Sequence, residues 1–216
     1  MKKKILISIV VLLIGMVLLV NAFTRKVSNK YLGNVPMLIL EMQKQKDEIE
    51  KKAKKCSNEN GLKILNDKSN KINKKYNYDL YKKEFDKVKN AEITCDVSEG
   101  VPLKVILSPK FTSINKDQCV TIEGLFLTIK DLNIDANKQV NLYLKYEDKN
   151  GKAIDLSIFS FIPDKLTKEN TILAAGEKIR LKALECINPK NAERWIDFEK
   201  IGIITEDEYK NTIIKK

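Results

Sequence analysis

The chain has 216 residues, 43% of them hydrophobic, and carries 40 Lys and Arg against 29 Asp and Glu, giving a formal net charge of +11. It contains no His, which excludes Ser-His and Cys-His nucleophiles, His metal ligands and imidazole pH switches. Lys outnumbers Arg by 37 to 3. Because Arg is the residue that pairs bidentately with phosphates and bases, the composition argues against a specific nucleic-acid partner.

The first 26 residues are predicted to form a membrane segment. Three lysines precede an apolar stretch that begins at Ile5, continues to Val20 and ends at Phe23. Its 19 residues approach the ~20 that an α-helix needs to cross a bilayer. Because basic residues stay on the cytoplasmic side, we expect a single-pass anchor in the cell membrane with the rest of the chain outside the cytoplasm. The alternative is a signal peptide cleaved after Ala22, which gives a secreted or periplasmic protein.

Residues 27–92 are predicted to form a helical stalk or hairpin. Apolar residues recur there at three-, four- and seven-residue intervals, the spacing of amphipathic helices. A break at 58–61, with Gly61 as a stop, divides the segment into two or three helices. We expect the charged faces to be solvated; the alternative is a lysine-rich face that touches anionic lipid or a wall polymer. The apolar stripe comprises Val35, Leu38, Met42, Ile49, Cys56, Leu62, Leu65, Ile72, Tyr76, Leu80, Tyr81, Phe85 and Val88.

Residues 93–216 are predicted to form a β-domain. From Ile93 onward apolar and polar residues alternate, and β-branched and aromatic residues become dense. Seven short strands separated by turn residues indicate an antiparallel β-sandwich. The expected fold class is therefore α+β, with an N-terminal membrane helix, a short helical segment and then the sandwich. The predicted strands lie at 93–97, 102–108, 119–130, 138–147, 152–162, 177–187 and 196–205.

One hairpin of this domain has a predicted register. A three-residue loop at 149–151 keeps one face of the hairpin apolar and places Gly151 where a positive φ is needed. On the other face it brings Lys145 opposite Asp155. The apolar pairs in this register are Tyr146 with Ile154, Leu144 with Leu156, and Leu142 with Ile158.

The same register turns three aromatic residues, Tyr143, Phe159 and Phe161, away from the core. Aromatic side chains on an exposed sheet face can stack on sugars or receive a protein partner. These three are therefore the predicted ligand-binding residues. The alternative is that a helix from 35–91 covers them.

The four cysteines suggest disulfides, because an even number in an exported chain is typical of cross-linking. We predict the pairs Cys56–Cys95 and Cys119–Cys186; the alternative is four free thiols. The sequence has no C-x-x-C pattern, which argues against a zinc knuckle and a thioredoxin-like site, and no metal site is predicted.

Patterns that resemble catalytic or metal motifs are weak. Ser113 and Lys116 match S-x-x-K, but nine Ser and 37 Lys make one such match expected by chance. The stretch 131–137 begins like an EF-hand loop, yet it has Ala136 in place of the required Gly and Leu142 in place of the required Glu. Several carboxylates lie near the single Trp without a spacing that indicates a facing pair: Glu185, Glu193, Asp197 and Glu199.

No catalytic residue and no cofactor is therefore predicted. The expected function is that of a non-enzymatic cell-envelope binding module, anchored in the membrane or secreted, with a protein or a glycan as its ligand. One alternative is a structural or accessory subunit of an envelope complex that uses the helices as its contact element. The other is a carboxylate-dependent hydrolase.

Overall fold

The computed structural model describes residues 29–134, 139–161 and 172–212. The predicted membrane segment, Ile5 to Phe23, lies outside these residues. Within the described ranges, no helix combines the length and the apolar character needed to cross a bilayer. The helices are α1 (Val35–Ala53), α2 (Glu59–Lys75), α3 (Tyr78–Asp86), α4 (Ala192–Ile196) and α5 (Glu206–Asn211).

Helix starts are set by polar side chains that accept hydrogen bonds from the otherwise unpaired N–H groups of a first turn. Asn58 accepts from the N–H of Gly61 and begins α2. Asn77 accepts from the N–H of Leu80 and begins α3. At α1 the N-cap residue Asn34 makes no such side-chain hydrogen bond, and the first turn contains Pro36, whose fixed φ suits the start of a helix.

The strands form two main sheets and one small ladder. The first sheet has the order β2-β3-β8 and is antiparallel; the second has the order β1-β9-β5-β6 and is antiparallel except for the β1–β9 pair; β4 pairs with β7. An α+β fold with mostly antiparallel sheets is thus confirmed. The strands are β1 (Thr94–Val97), β2 (Leu103–Ile114), β3 (Cys119–Thr128), β4 (Leu132–Asn133), β5 (Val140–Asp148), β6 (Ala153–Phe161), β7 (Ile172–Leu173), β8 (Lys178–Cys186) and β9 (Phe198–Ile204).

The inner faces of the two main sheets share one aromatic core. The Trp195 ring lies 5.0 Å from that of Tyr146 on β5 and 5.3 Å from that of Phe198 on β9, centroid to centroid. Phe111 on β2 lies 5.8 Å from Phe198 and so joins the first sheet to the second. Edge-to-face and tilted contacts of this kind stabilise beyond the area they bury.

The helical segment contributes to the same core. The first turns of α1 bury Val35 and Ile39, and α3 buries Tyr81 and Phe85. By contrast, α2 buries no residue. Within residues 29–92, α1 and α3 therefore pack against the core, whereas α2 is largely exposed and reaches the core only through the partly buried Ile72. The predicted domain boundary near residue 92 stays a prediction.

The predicted hairpin register is correct at the loop and wrong beyond it. Asp148 N–H donates to the carbonyl of Lys152 across the three-residue loop, and Glu147 pairs with Ala153. A β-bulge then inserts Ile154, so that Tyr146 pairs with Asp155. One extra residue shifts every later pair by one position and exchanges the faces of β6. Leu144 thus pairs with Ser157, Leu142 with Phe159, Tyr143 with Ile158 and Lys145 with Leu156.

One predicted disulfide is present and the other is not. Cys119 and Cys186 are paired residues of β3 and β8 and form a disulfide. Cys56 and Cys95 are free thiols. The N–H of Thr94 in β1 donates to the hydroxyl of Tyr31, so Cys95 lies near the start of α1. Cys56 follows the far end of that 19-residue helix, which at 1.5 Å per residue is about 30 Å long, so the predicted pair is held apart.

Candidate ligand-binding cleft

The outer face of the second sheet is where the sequence predicted a binding surface. Tyr143 is on this face, paired with Ile158 on β6 and with Ile204 on β9. Ile158 is 51% exposed, so part of the face is open. Next to this pair, the Ser160 hydroxyl donates to the side-chain oxygen of Asn141, 2.6 Å away.

The predicted aromatic trio is not brought together. Phe159 packs against the core beside Leu142, because the bulge at Ile154 turns its side chain inward. The expectation that the Phe159 side chain points away from the core, on the same face as Tyr143, is therefore wrong. The backbone of Phe161 pairs with Val140 at the end of β6, and its side chain lies outside the described part of the structure. A binding role for Tyr143 stays a prediction.

Tyr143 forms part of the wall of a small open cleft of about 220 Å³. The cleft lies where the end of β9 and the start of α5 approach the segment that precedes β2. Its surface is mostly apolar, with polar groups from Asn141, Tyr143, Thr205 and Glu206. The lining residues are Gly100, Val101, Pro102, Leu103, Leu132, Asn141, Leu142, Tyr143, Ile203, Ile204, Thr205 and Glu206.

Helix α5 closes one side of the Tyr143 ring. The ring of Tyr209 lies 5.2 Å from that of Tyr143, tilted by 48°. Desolvation raises the pKa of the Tyr143 hydroxyl, and the adjacent Glu206 carboxylate raises it further. Lys210 in turn lowers the pKa of Glu206. At neutral pH the cleft therefore offers a neutral phenol beside a charged carboxylate, which suits a ligand with hydroxyl or amide groups.

Ion pairs hold α5 against the sheet. The Nζ atom of Lys145 on β5 lies 2.8 Å from Oε1 of Glu208 in α5 and 3.0 Å from Oε1 of Glu147. Lys200 on β9 completes the network at 3.0 Å from Glu147, which is almost fully buried. Because Glu147 has two cationic partners, its burial leaves no uncompensated charge. The network fixes the helix that carries Glu206 and Tyr209.

Sequence reasoning missed α5, although a signal was present. Thr205 begins the helix, and its hydroxyl accepts a hydrogen bond from the N–H of Glu208. A Thr followed three residues later by Glu is the capping-box spacing that marks a helix start. Gly100, in the loop before β2, lies near Thr205, and a Cβ there would make only ordinary van der Waals contact with the Thr205 methyl at 3.6 Å. Its φ of +91° is therefore what favours glycine at this position.

The carboxylates proposed for a hydrolase are dispersed. Glu185 faces the core, where the Tyr146 hydroxyl donates to it at 2.6 Å, and burial raises its pKa. Glu199 pairs with Lys30, while Glu193 and Asp197 are exposed. Glu185 does not line the Tyr143 cleft. The buried Glu185 thus takes part in a hydrogen bond that joins β8 to β5.

Metal ligands do not cluster in the described ranges: no three Cys, Asp or Glu side chains are gathered in a way that could hold an ion. Comparison with models of protein families, with curated proteins and with solved structures finds no match for this chain.

Proposed function

We propose that the chain is a non-enzymatic binding module of the cell envelope. In this proposal Ile5–Phe23 anchors it in the membrane, or cleavage after Ala22 releases it, and the two main sheets form a β-sandwich outside the cytoplasm. The cleft beside Tyr143 takes a protein or glycan ligand. The observation that carries the proposal is this apolar cleft with a phenol, an amide and a carboxylate among its lining groups.

The size of the cleft limits what it takes. Its volume of about 220 Å³ is below the roughly 300–1,000 Å³ of sites that enclose a drug-sized molecule. It therefore fits one sugar ring or one inserted side chain at the end of a larger partner. The face of Tyr143 supplies apolar contact, and the hydroxyl and Glu206 supply hydrogen bonds to ring hydroxyls or a peptide N–H.

The test is a glycan and peptide array probed with the full-length chain in nanodiscs. Tyr143→Ala should weaken binding to a hit by about tenfold, since one well-packed aromatic contact is worth about 1.4 kcal/mol or more. The matched control is Ile158→Ala, its paired neighbour outside the cleft, which should leave affinity unchanged. A hit that the protein converts into product, or an equal loss in both variants, contradicts the proposal.

A second candidate function has an observation of its own in α2. This helix buries no residue, and Leu62 and Ile64 are exposed on it. An accessory subunit of an envelope complex would use such side chains as its contact. Ile64→Glu should then remove a co-purifying partner, whereas Lys63→Glu at the adjacent exposed position should retain it. Retention of the partner by both variants contradicts this second candidate.

A further inference from the structure

The outer face of the first sheet is strongly basic. Twelve side chains project from it in four rows across β2, β3 and β8, and five of them are Lys or Arg while one is Glu. Four of the remaining six are Leu. The rows, which together define the basic face, are Lys104–Leu127–Lys178, Leu107–Leu125–Arg180, Lys110–Glu123–Lys182 and Ser113–Thr121–Leu184.

The cations of the basic face are not neutralised within the described chain. None of the five forms an ion pair with a described Asp or Glu. Some lysines elsewhere in the described chain are paired, as at Lys145 and Lys200. The basic face therefore keeps a net positive charge that attracts anions.

Exposed leucines lie among these cations. Leu107 is 61% exposed and Leu184 is 57% exposed. Beside Leu107 the sheet has a concavity of about 260 Å³, whose lining includes Lys110 and Arg180 together with Glu92 and Glu123. Apolar side chains surrounded by Lys and Arg are the pattern of surfaces that insert shallowly into a lipid interface.

The proposed anchor keeps the folded domain close to lipid. Residues 24–28 join the span to Asn29, and a chain of that length reaches at most about 20 Å. The Asn29 side chain donates to the carbonyls of Ile196 and Phe198, so the tether enters the body of the domain directly. A folded domain of this size is wider than 20 Å, so it cannot stay clear of the bilayer in every orientation.

We propose that the basic face lies on the anionic phospholipid surface of the membrane in which the chain is anchored. Lys suits this partner, because its flexible point charge needs no fixed geometry of phosphates. The lining of the Tyr143 cleft includes none of the residues of the basic face, so lipid contact at that face leaves the cleft's own side chains unoccupied. This inference rests on the anchor of the proposed function and is independent of what the cleft binds.

The test is lysine acylation of the full-length chain, reconstituted with the domain outside, in vesicles of phosphatidylcholine alone or mixed with phosphatidylglycerol. An uncharged acylating reagent avoids exclusion by the anionic surface. Lys104, Lys178 and Lys182 should react about fivefold more slowly in the anionic vesicles. Each basic residue near an anionic surface strengthens the binding of the protein to that surface by about this factor. Lys149 and Lys152, exposed at the hairpin loop of the second sheet, serve as controls and should react equally in both.

Charge reversal then separates lipid contact from a general effect. Lys178→Glu with Lys182→Glu should restore fast acylation of Lys104 in anionic vesicles, and Lys149→Glu with Lys152→Glu should leave it slow. Unchanged emission of the buried Trp195 shows that each variant is folded. High salt should also restore the reaction, because it screens the attraction.

Three results overturn the inference. Equally fast reaction of Lys104, Lys178 and Lys182 in both vesicle types means that the basic face does not contact lipid. Slow reaction in both types means that another part of the chain covers it. Protection by soluble polyglutamate in neutral vesicles, without protection by anionic lipid, assigns the face to an acidic polymer. Failure of the anchor is distinguished from all three, because the chain would then not remain with neutral vesicles.

Discussion

Removing the disulfide between β3 and β8 should cost the fold more than any other small change on its surface. These strands are neighbours in the first sheet, yet 67 residues separate Cys119 from Cys186. In the chain-entropy model, closing a loop of this length in the unfolded state is worth about 4 kcal/mol. We therefore expect Cys119→Ala with Cys186→Ala to lower the free energy of unfolding by about 3–4 kcal/mol.

Urea unfolding followed by Trp195 emission measures this loss. Trp195 is the single Trp of the chain and is fully buried, so its signal reports on the core alone. With a slope of about 2 kcal/mol per molar urea, the midpoint should fall by roughly 2 M. Cys56→Ser, at a free thiol beyond the end of α1, is the control and should shift the midpoint little. A loss below about 1 kcal/mol, or an equal loss in the control, would refute the entropic reasoning.

Three further substitutions test the packing. Gly33→Ala places a Cβ 2.6 Å from a carbonyl oxygen of α3, whereas the control Gly151→Ala has a similar positive φ and open space around its Cβ. In urea unfolding Gly33→Ala should therefore lower the free energy of unfolding by about 1–3 kcal/mol more than the control does, and equal losses would exclude the clash. Burial raises the pKa of Glu185 above 4.5, so the folded state loses stability as the pH rises through that pKa. Glu185→Gln should therefore gain stability relative to wild type as the pH rises above 4.5, and a gain that is constant with pH contradicts the burial argument. Phe159→Ala should cost about 2 kcal/mol in the same assay and Ile158→Ala less than half of that, an order that the register without the bulge would reverse.

The sequence predicts strand positions well where one face alone is apolar. The predicted strands 119–130 and 177–187 agree closely with β3 and β8, the two strands that the Cys119–Cys186 disulfide joins. In β8, alternation turns Ile179, Leu181 and Ala183 to the core and their basic neighbours outward. Period-two patterning leaves little freedom of register in such strands.

The face of β6 was beyond sequence reasoning because its pattern satisfies two registers. One set of alternate positions in β6 carries the apolar residues Ile154, Leu156 and Ile158. The other set carries Phe159 and Phe161. Ile154 and Phe159 are five residues apart, an odd number, so a regular strand cannot turn both to the core. The bulge resolves the conflict, since it lets Ile154 be buried and Phe159 pack inward. A bulge depends on tertiary packing at both ends of a strand, which no local pattern reports.

The bulge also decides what lies beside the candidate cleft. With Phe159 turned inward, the outer face near Tyr143 holds the small exposed Ile158 rather than a second aromatic ring. The Tyr143 ring then finds its aromatic partner in Tyr209, on a helix that Lys145 draws onto the sheet through Glu208. The outer face is therefore not the flat aromatic platform, suited to a stacked sugar chain, that three exposed rings would form. It borders a cleft with one ring and one carboxylate. Recognition of a single terminal group, rather than of an extended polymer, is what this geometry favours at the second sheet.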